Sequence, residues 1–199
     1  MLKVGITGGI GSGKSIVCRV FTVLGIPVYD SDGRAKGVMQ HDALLKQQLQ
    51  QAFGNEVYTT DGQLDRAYLG ALVFHQPEKL TLLNSLVHPR VKADFEHWAA
   101  AQKSVPYILK EAALMFESEA HKQVQQIITV SAPLDVRLAR VLQRDPHRQA
   151  TDVHAIIDKQ LSEEERQQRA DFIIYNNDQQ LVIPQVLALH EKLISLSKD

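Results

Sequence analysis

Gly8-Gly9-Ile10-Gly11-Ser12-Gly13-Lys14-Ser15 decides how the rest of the chain is read. It fits the pattern G-x-x-x-x-G-K-[ST], in which glycines let the backbone turn tightly and point its N–H groups at phosphate oxygens. The context agrees. Leu2 to Thr7 is a short, mostly apolar run that reads as a buried strand. Val17, Val20, Phe21 and Leu24 then recur at helical spacing, so the loop opens a helix whose N-terminus adds partial positive charge. Lys14 reaches β- and γ-phosphates as a point charge, and the Ser15 hydroxyl suits the Mg²⁺ that accompanies a nucleotide. Gly9, Gly11, Ser12, Gly13, Lys14, Ser15 and Ile16 are therefore expected to hold ATP, with Ser15 as the metal ligand. A dinucleotide-binding loop fits less well. Its G-x-G-x-x-G spacing is not met by Gly9, Gly11 and Gly13, and it expects no lysine and serine afterwards.

Outward from the loop, Gly25 stands where a helix C-terminal glycine would. Ile26 to Tyr29 reads as a second strand, ending at Asp30-Ser31-Asp32. From about 33 to 104 the signal is helical. Leu45, Leu49 and Phe53 form one apolar stripe, while Gly54, Gly62, Pro77 and Pro89 separate the segments. Strand patterns return at Val105 to Leu109, with Lys110-Glu111 at its end, then at Ile127 to Val130 and Phe172 to Tyr175. Pro133 opens a helix with Val136, Ala139 and Leu142 on its apolar side. Arg144 to Arg148 reads as a mobile basic loop, and one helix is expected from about Thr151 to Arg166. Leu189, Leu193 and Leu196 mark a C-terminal helix.

Strands alternating with helices imply an α/β fold: a three-layer parallel sheet forming a nucleotide-binding core. The core is expected over 1–32 and 105–199, with a lid at about 140–165, and 33–104 as an inserted helical substrate lobe. Ligands of such sheets lie beyond the C-terminal strand ends, where Gly8 to Ser15, Asp30, Asp32 and Glu111 would converge.

Composition narrows the function. The 199 residues carry a net charge of -1, which argues against binding nucleic acid through bulk positive charge. No window approaches the roughly 18 apolar residues of a membrane span, and Met1 to Gly5 lacks the pattern of a secretory signal. Cys18 is the single cysteine, so no intrachain disulfide can form. A cytoplasmic location is expected.

The loop alone does not choose a reaction. Asp30-Ser31-Asp32-Gly33 contains D-x-x-G, a pattern of GTP-hydrolysing switches, but no N-K-x-D guanine-recognition sequence occurs. A helical lobe between strands and a late basic loop favour a small-molecule kinase, because phosphoryl transfer needs water excluded and charge neutralised. Asp32 is the expected general base, with a helix cap as its alternative role. Arg140 and Arg144, four residues apart, share a helix face and are expected on phosphates; a solvated face paired with acids is the alternative. Arg66 meets an acceptor phosphate, or pairs with Asp65 or another acid. His88 is a packed histidine or a substrate contact. Glu111 supports Lys14 or Mg²⁺, or is a structural ion-pair partner.

From Gly8 to Ser15 with Asp30-Ser31-Asp32 the chain resembles the dephospho-CoA kinase family. The resemblance extends through Leu64-Asp65-Arg66, His88-Pro89, Leu114-Met115-Phe116-Glu117, Arg140, Arg144-Asp145, Gln160, Ala170-Asp171 and Asn176. It implies transfer of the ATP γ-phosphoryl group to the 3′-hydroxyl of dephospho-CoA, the last step of coenzyme A synthesis. It also implies substrate contacts at Asp32, Arg66, His88 and Glu111. Ser31, Gly33, Lys36, Ile16 and Arg137 depart from the family pattern; Arg137 stands where glutamine is usual. Another P-loop kinase of nucleosides or small metabolites, or a non-catalytic nucleotide switch, are the alternatives.

Overall fold

A computed structural model describes residues 1–74 and 76–198. The chain divides into two compact units: residues 1–30 with the stretch from Gln102 onward, and Ser31–Ala101.

The first unit is built on a five-stranded, all-parallel sheet of β1 (Leu2–Thr7), β2 (Val28–Asp30), β3 (Tyr107–Glu111), β4 (Gln126–Ser131) and β5 (Phe172–Tyr175). The order is β2-β3-β1-β4-β5, with β1 in the centre. From β1 the chain leaves towards β2, and from β3 it crosses to β4 on the other side. Neighbouring strands β1 and β3 therefore send their connections in opposite directions. That reversal opens a crevice at their C-terminal ends. Helices α1 (Lys14–Val23), α6 (Leu134–Arg144), α7 (Ala150–Ile157), α8 (Glu163–Arg169) and α9 (Val182–Leu196) belong to this unit. Parallel strands are covered on both faces, so they read as apolar runs. Val4, Ile6, Leu109, Ile128 and Val130 accordingly join Val17 and Phe21 of α1 and Leu193 of α9 in one buried cluster.

Gly25 ends α1 as expected, at φ 81°. Its N–H donates to the Thr22 carbonyl and that of Ile26 to the Phe21 carbonyl, each at 3.0 Å, the paired bonds of a Schellman motif.

The second unit comprises α2 (Ser31–His41), α3 (Ala43–Phe53), α4 (Arg66–Phe74) and α5 (Pro77–Ala101). Leu45, Leu49 and Phe53 are buried with Val57, Leu69 and Val87 in its core. Asp42 caps α3, accepting the Leu45 N–H at 2.8 Å, and pairs with Arg90 of α5.

Several expectations are corrected. Pro89 does not break a helix: α5 runs through it, because packing against neighbouring helices outweighs the lost N–H. The helix expected from Thr151 to Arg166 is two, α7 and α8. Ser162 starts the second with a capping box, its hydroxyl accepting the Glu165 N–H at 3.2 Å. On α6 the buried face carries Arg137 and Val141, whereas Ala139 is exposed. Finally, β2 stops at Asp30 and Ser31 begins α2, so Asp32 lies in a first helical turn rather than at a strand tip.

Candidate functional site

The turn between β1 and α1 is shaped by two left-handed glycines, Gly11 at φ 80° and Gly13 at φ 87°. Only glycine adopts this backbone without strain. Ser12 N–H closes the turn onto the Gly9 carbonyl at 3.0 Å. Later elements brace it. Asn176, just after β5, donates from Nδ2 to the Ser12 carbonyl at 2.8 Å, and a Cβ on Gly13 would collide with that nitrogen. Gln160, between α7 and α8, accepts the Ile10 N–H at 3.0 Å.

Lys14 opens α1 and forms an ion pair with Glu111, the last residue of β3. Strand register sets Glu111 beside both Ile6 of β1 and Asp30 of β2. Two carboxylates thus end adjacent strands next to the loop. Cys18, one turn into α1, senses them. Burial first, then the Glu111 carboxylate, push its thiol well above the ordinary range, so it is an inert core thiol rather than a nucleophile.

The loop forms one wall of a cavity of about 610 Å³. Gly9, Gly11, Ser12, Gly13, Lys14, Ser15 and Ile16 line it, and Arg140 and Arg144 of α6 face them. Arg140 is anchored, donating from Nη1 to the Asn176 carbonyl at 3.0 Å and from Nη2 to Asp178 Oδ1 at 2.6 Å. Arg144 makes a forked pair with Asp145 at 3.1 and 2.9 Å, and that pairing holds the Asp145 carboxyl below the usual carboxylate range. Arg19, Ala113, Val141, Ile156 and Gln160 also line the cavity. Arg19 escaped the sequence reading, since a lone arginine in the second turn of a helix carries no motif.

The remaining expected residues lie in the helical unit. Asp32 and Arg66 are exposed, at the first turns of α2 and α4. Asp65 caps α4, accepting the Tyr68 N–H at 2.8 Å, so its part is structural. His88 lies on α5 before Pro89, and partial desolvation lowers its pKa, favouring the neutral ring at pH 7. Among the described residues no group of three or more His, Cys, Asp or Glu forms a metal cluster, and no helix is long and apolar enough to cross a membrane.

This arrangement offers backbone amides, one ammonium and three guanidinium groups to a phosphate chain, with carboxylates at its edge. The family model described as dephospho-CoA kinase matches residues 2–181. Dephospho-CoA kinase of Bacteroides fragilis strain YCH46 is 37% identical over 188 residues, covering 94% of this chain and 91% of its own length. Among solved structures, the Thermus thermophilus protein TT1252 superposes with TM-score 0.85 at 30% identity, covering 96% of each chain. Dephospho-CoA kinase from Campylobacter jejuni shares the fold, at TM-score 0.72, 24% identity and 97% coverage of each chain.

Proposed function

The chain belongs to the dephospho-CoA kinase family, and from that premise we propose that it moves the γ-phosphoryl group of ATP onto the 3′-hydroxyl of dephospho-CoA. The observation that carries the proposal is a single cavity walled by Gly9 to Ile16 and faced by Arg140 and Arg144. Loop amides and Lys14 hold the β- and γ-phosphates. Arg140 and Arg144 spread the charge that develops as the β–γ bridging oxygen departs with ADP. The acceptor oxygen bonds to the γ-phosphorus, and its proton passes to the Asp32 carboxylate. Arg66 and His88 are assigned to binding the acceptor.

Mg²⁺ fits the donor set: Ser15 lines the cavity, and Asp30 and Glu111 end neighbouring strands. When bound it would neutralise charge on the β- and γ-phosphates. Ser15 would ligate it directly, with the two carboxylates acting through water. Glu111 also orients Lys14 over the loop. A single buried thiol suits a reducing cytoplasm.

The test is ADP release with dephospho-CoA, nucleosides and sugars as acceptors. Turnover should rise with dephospho-CoA. Stimulation by a nucleoside or sugar alone would reassign the substrate, and no acceptor-stimulated turnover would make the chain a nucleotide switch.

A further inference from the structure

Packed against the loop, among residues that do not line the cavity, lies a cluster that no step of the proposed reaction uses. Arg137 of α6 is 5% exposed and Arg166 of α8 is 3% exposed. Both guanidinium groups press on Gly9: a Cβ there would run into Arg137 Nη1 and come within 2.9 Å of Arg166 Nη2. The Arg137 carbonyl fills the corresponding space at Gly11. Arg166 is hydrogen-bonded, donating from Nη1 to the Leu161 carbonyl and from Nη2 to Glu163 at 2.6 Å. Only its Nε is buried without a partner, whereas Arg137 leaves both Nε and Nη1 buried without a hydrogen-bond partner among the described residues.

A buried guanidinium with unpaired N–H groups is costly, more so beside a second one. Burial is the main influence lowering its pKa; Glu163 opposes this, and Arg166 adds to it. Glu163 does not complete the cluster, since its Oε1 is also buried without a partner. Glu164 acts only from the exposed side of α8. An apolar side chain would fill this place at lower cost to the fold. What the charge offers is a positive potential directly behind the turn whose amides face phosphate.

We propose that Arg137, backed by Arg166, is a positioning residue that holds excess positive charge behind Gly9, so that the loop favours nucleotides in proportion to their phosphate charge. This rests on the loop being the nucleotide site. Arg137 works through the loop backbone, whereas Arg140 and Arg144 on the same helix face the cavity. An attraction of this kind, at several ångströms through a partly buried path, is worth about tenfold in affinity.

The test compares wild type, Arg137→Gln and Arg137→Lys by calorimetric binding of ATP and ADP with magnesium, nucleotide-free melting temperature, and the kcat and KM for ATP. Arg137→Gln should bind ATP about tenfold more weakly and ADP by a smaller factor. Its KM should rise while kcat holds, and its nucleotide-free melting temperature should not fall. Arg137→Lys should recover most of the ATP preference. Equal losses for ATP and ADP together with a lower melting temperature would show a merely structural support and overturn the inference. So would unaltered binding in Arg137→Gln. Absence of ATP binding by the wild type would overturn the nucleotide reading itself, and this inference with it.

Discussion

Lys14 carries the largest share of the chemistry assigned to the loop. It is the ammonium at the start of α1, and Glu111 directs it across the end of β3. Lys14→Ala should lower acceptor-dependent phosphoryl transfer by about 10²-fold or more while the far-ultraviolet circular dichroism stays that of the wild type. Asp32→Asn should reduce kcat strongly with little change in ATP affinity, since the assigned step is proton acceptance and not nucleotide binding. An unchanged kcat would remove Asp32 as the base. The loop was legible because its chemistry depends on residue types at fixed spacing. Arg137 was visible only as an odd residue: nothing in a linear pattern tells that a guanidinium is buried against Gly9. Asn176 and Gln160 brace the turn from 164 and 150 residues away, contacts that no local rule predicts.

Elements were legible where one force dominates. β5 spans the same four residues in sequence and structure, and Gly25 ends α1, because apolar runs and a left-handed glycine are local signals. They were misread where forces compete. Proline chemistry argued for a break at Pro89, yet the packing of Val87 and Phe95 keeps α5 continuous. Between α7 and α8 the local signal was present, as Ser162 with Glu165 three residues on, but the helical periodicity masked it. Ser162→Ala should cost about 1 kcal/mol of stability, read as a lower urea midpoint with an unchanged m-value. Because α8 carries Arg166 to Gly9, the same variant should also weaken ATP binding.

For the whole molecule, sheet order explains why the site is where it is. The connections of β1 and β3 part in opposite directions, and the phosphate-binding turn and Glu111 occupy the ends of those two strands. Alternating strands and helices announced a parallel sheet, but only the hydrogen-bonded register places Asp30 beside Glu111. In the helical unit, acid should act through Asp42. Burial alone would raise its carboxyl, but the hydrogen bonds from Arg90 and from the Leu45 N–H hold it below the usual range. A carboxyl so depressed adds stability above its unfolded-state pKa, and that stability is lost as pH falls through the folded value. Asp42→Asn should therefore show a smaller drop in melting temperature between pH 7 and about pH 3 than the wild type; an identical drop would shift the acid sensitivity elsewhere.

The turn after β1 is the proposed holder of a nucleoside triphosphate. Amide NMR spectra of the ¹⁵N-labelled protein, titrated with magnesium and a non-hydrolysable ATP analogue, address it most directly. The largest shifts should fall at Gly11, Ser12, Gly13, Lys14 and Ser15, and the same titration of Lys14→Ala should need much more ligand. Binding that leaves those amides unmoved, with the shifts centred on another part of the chain, would contradict the claim.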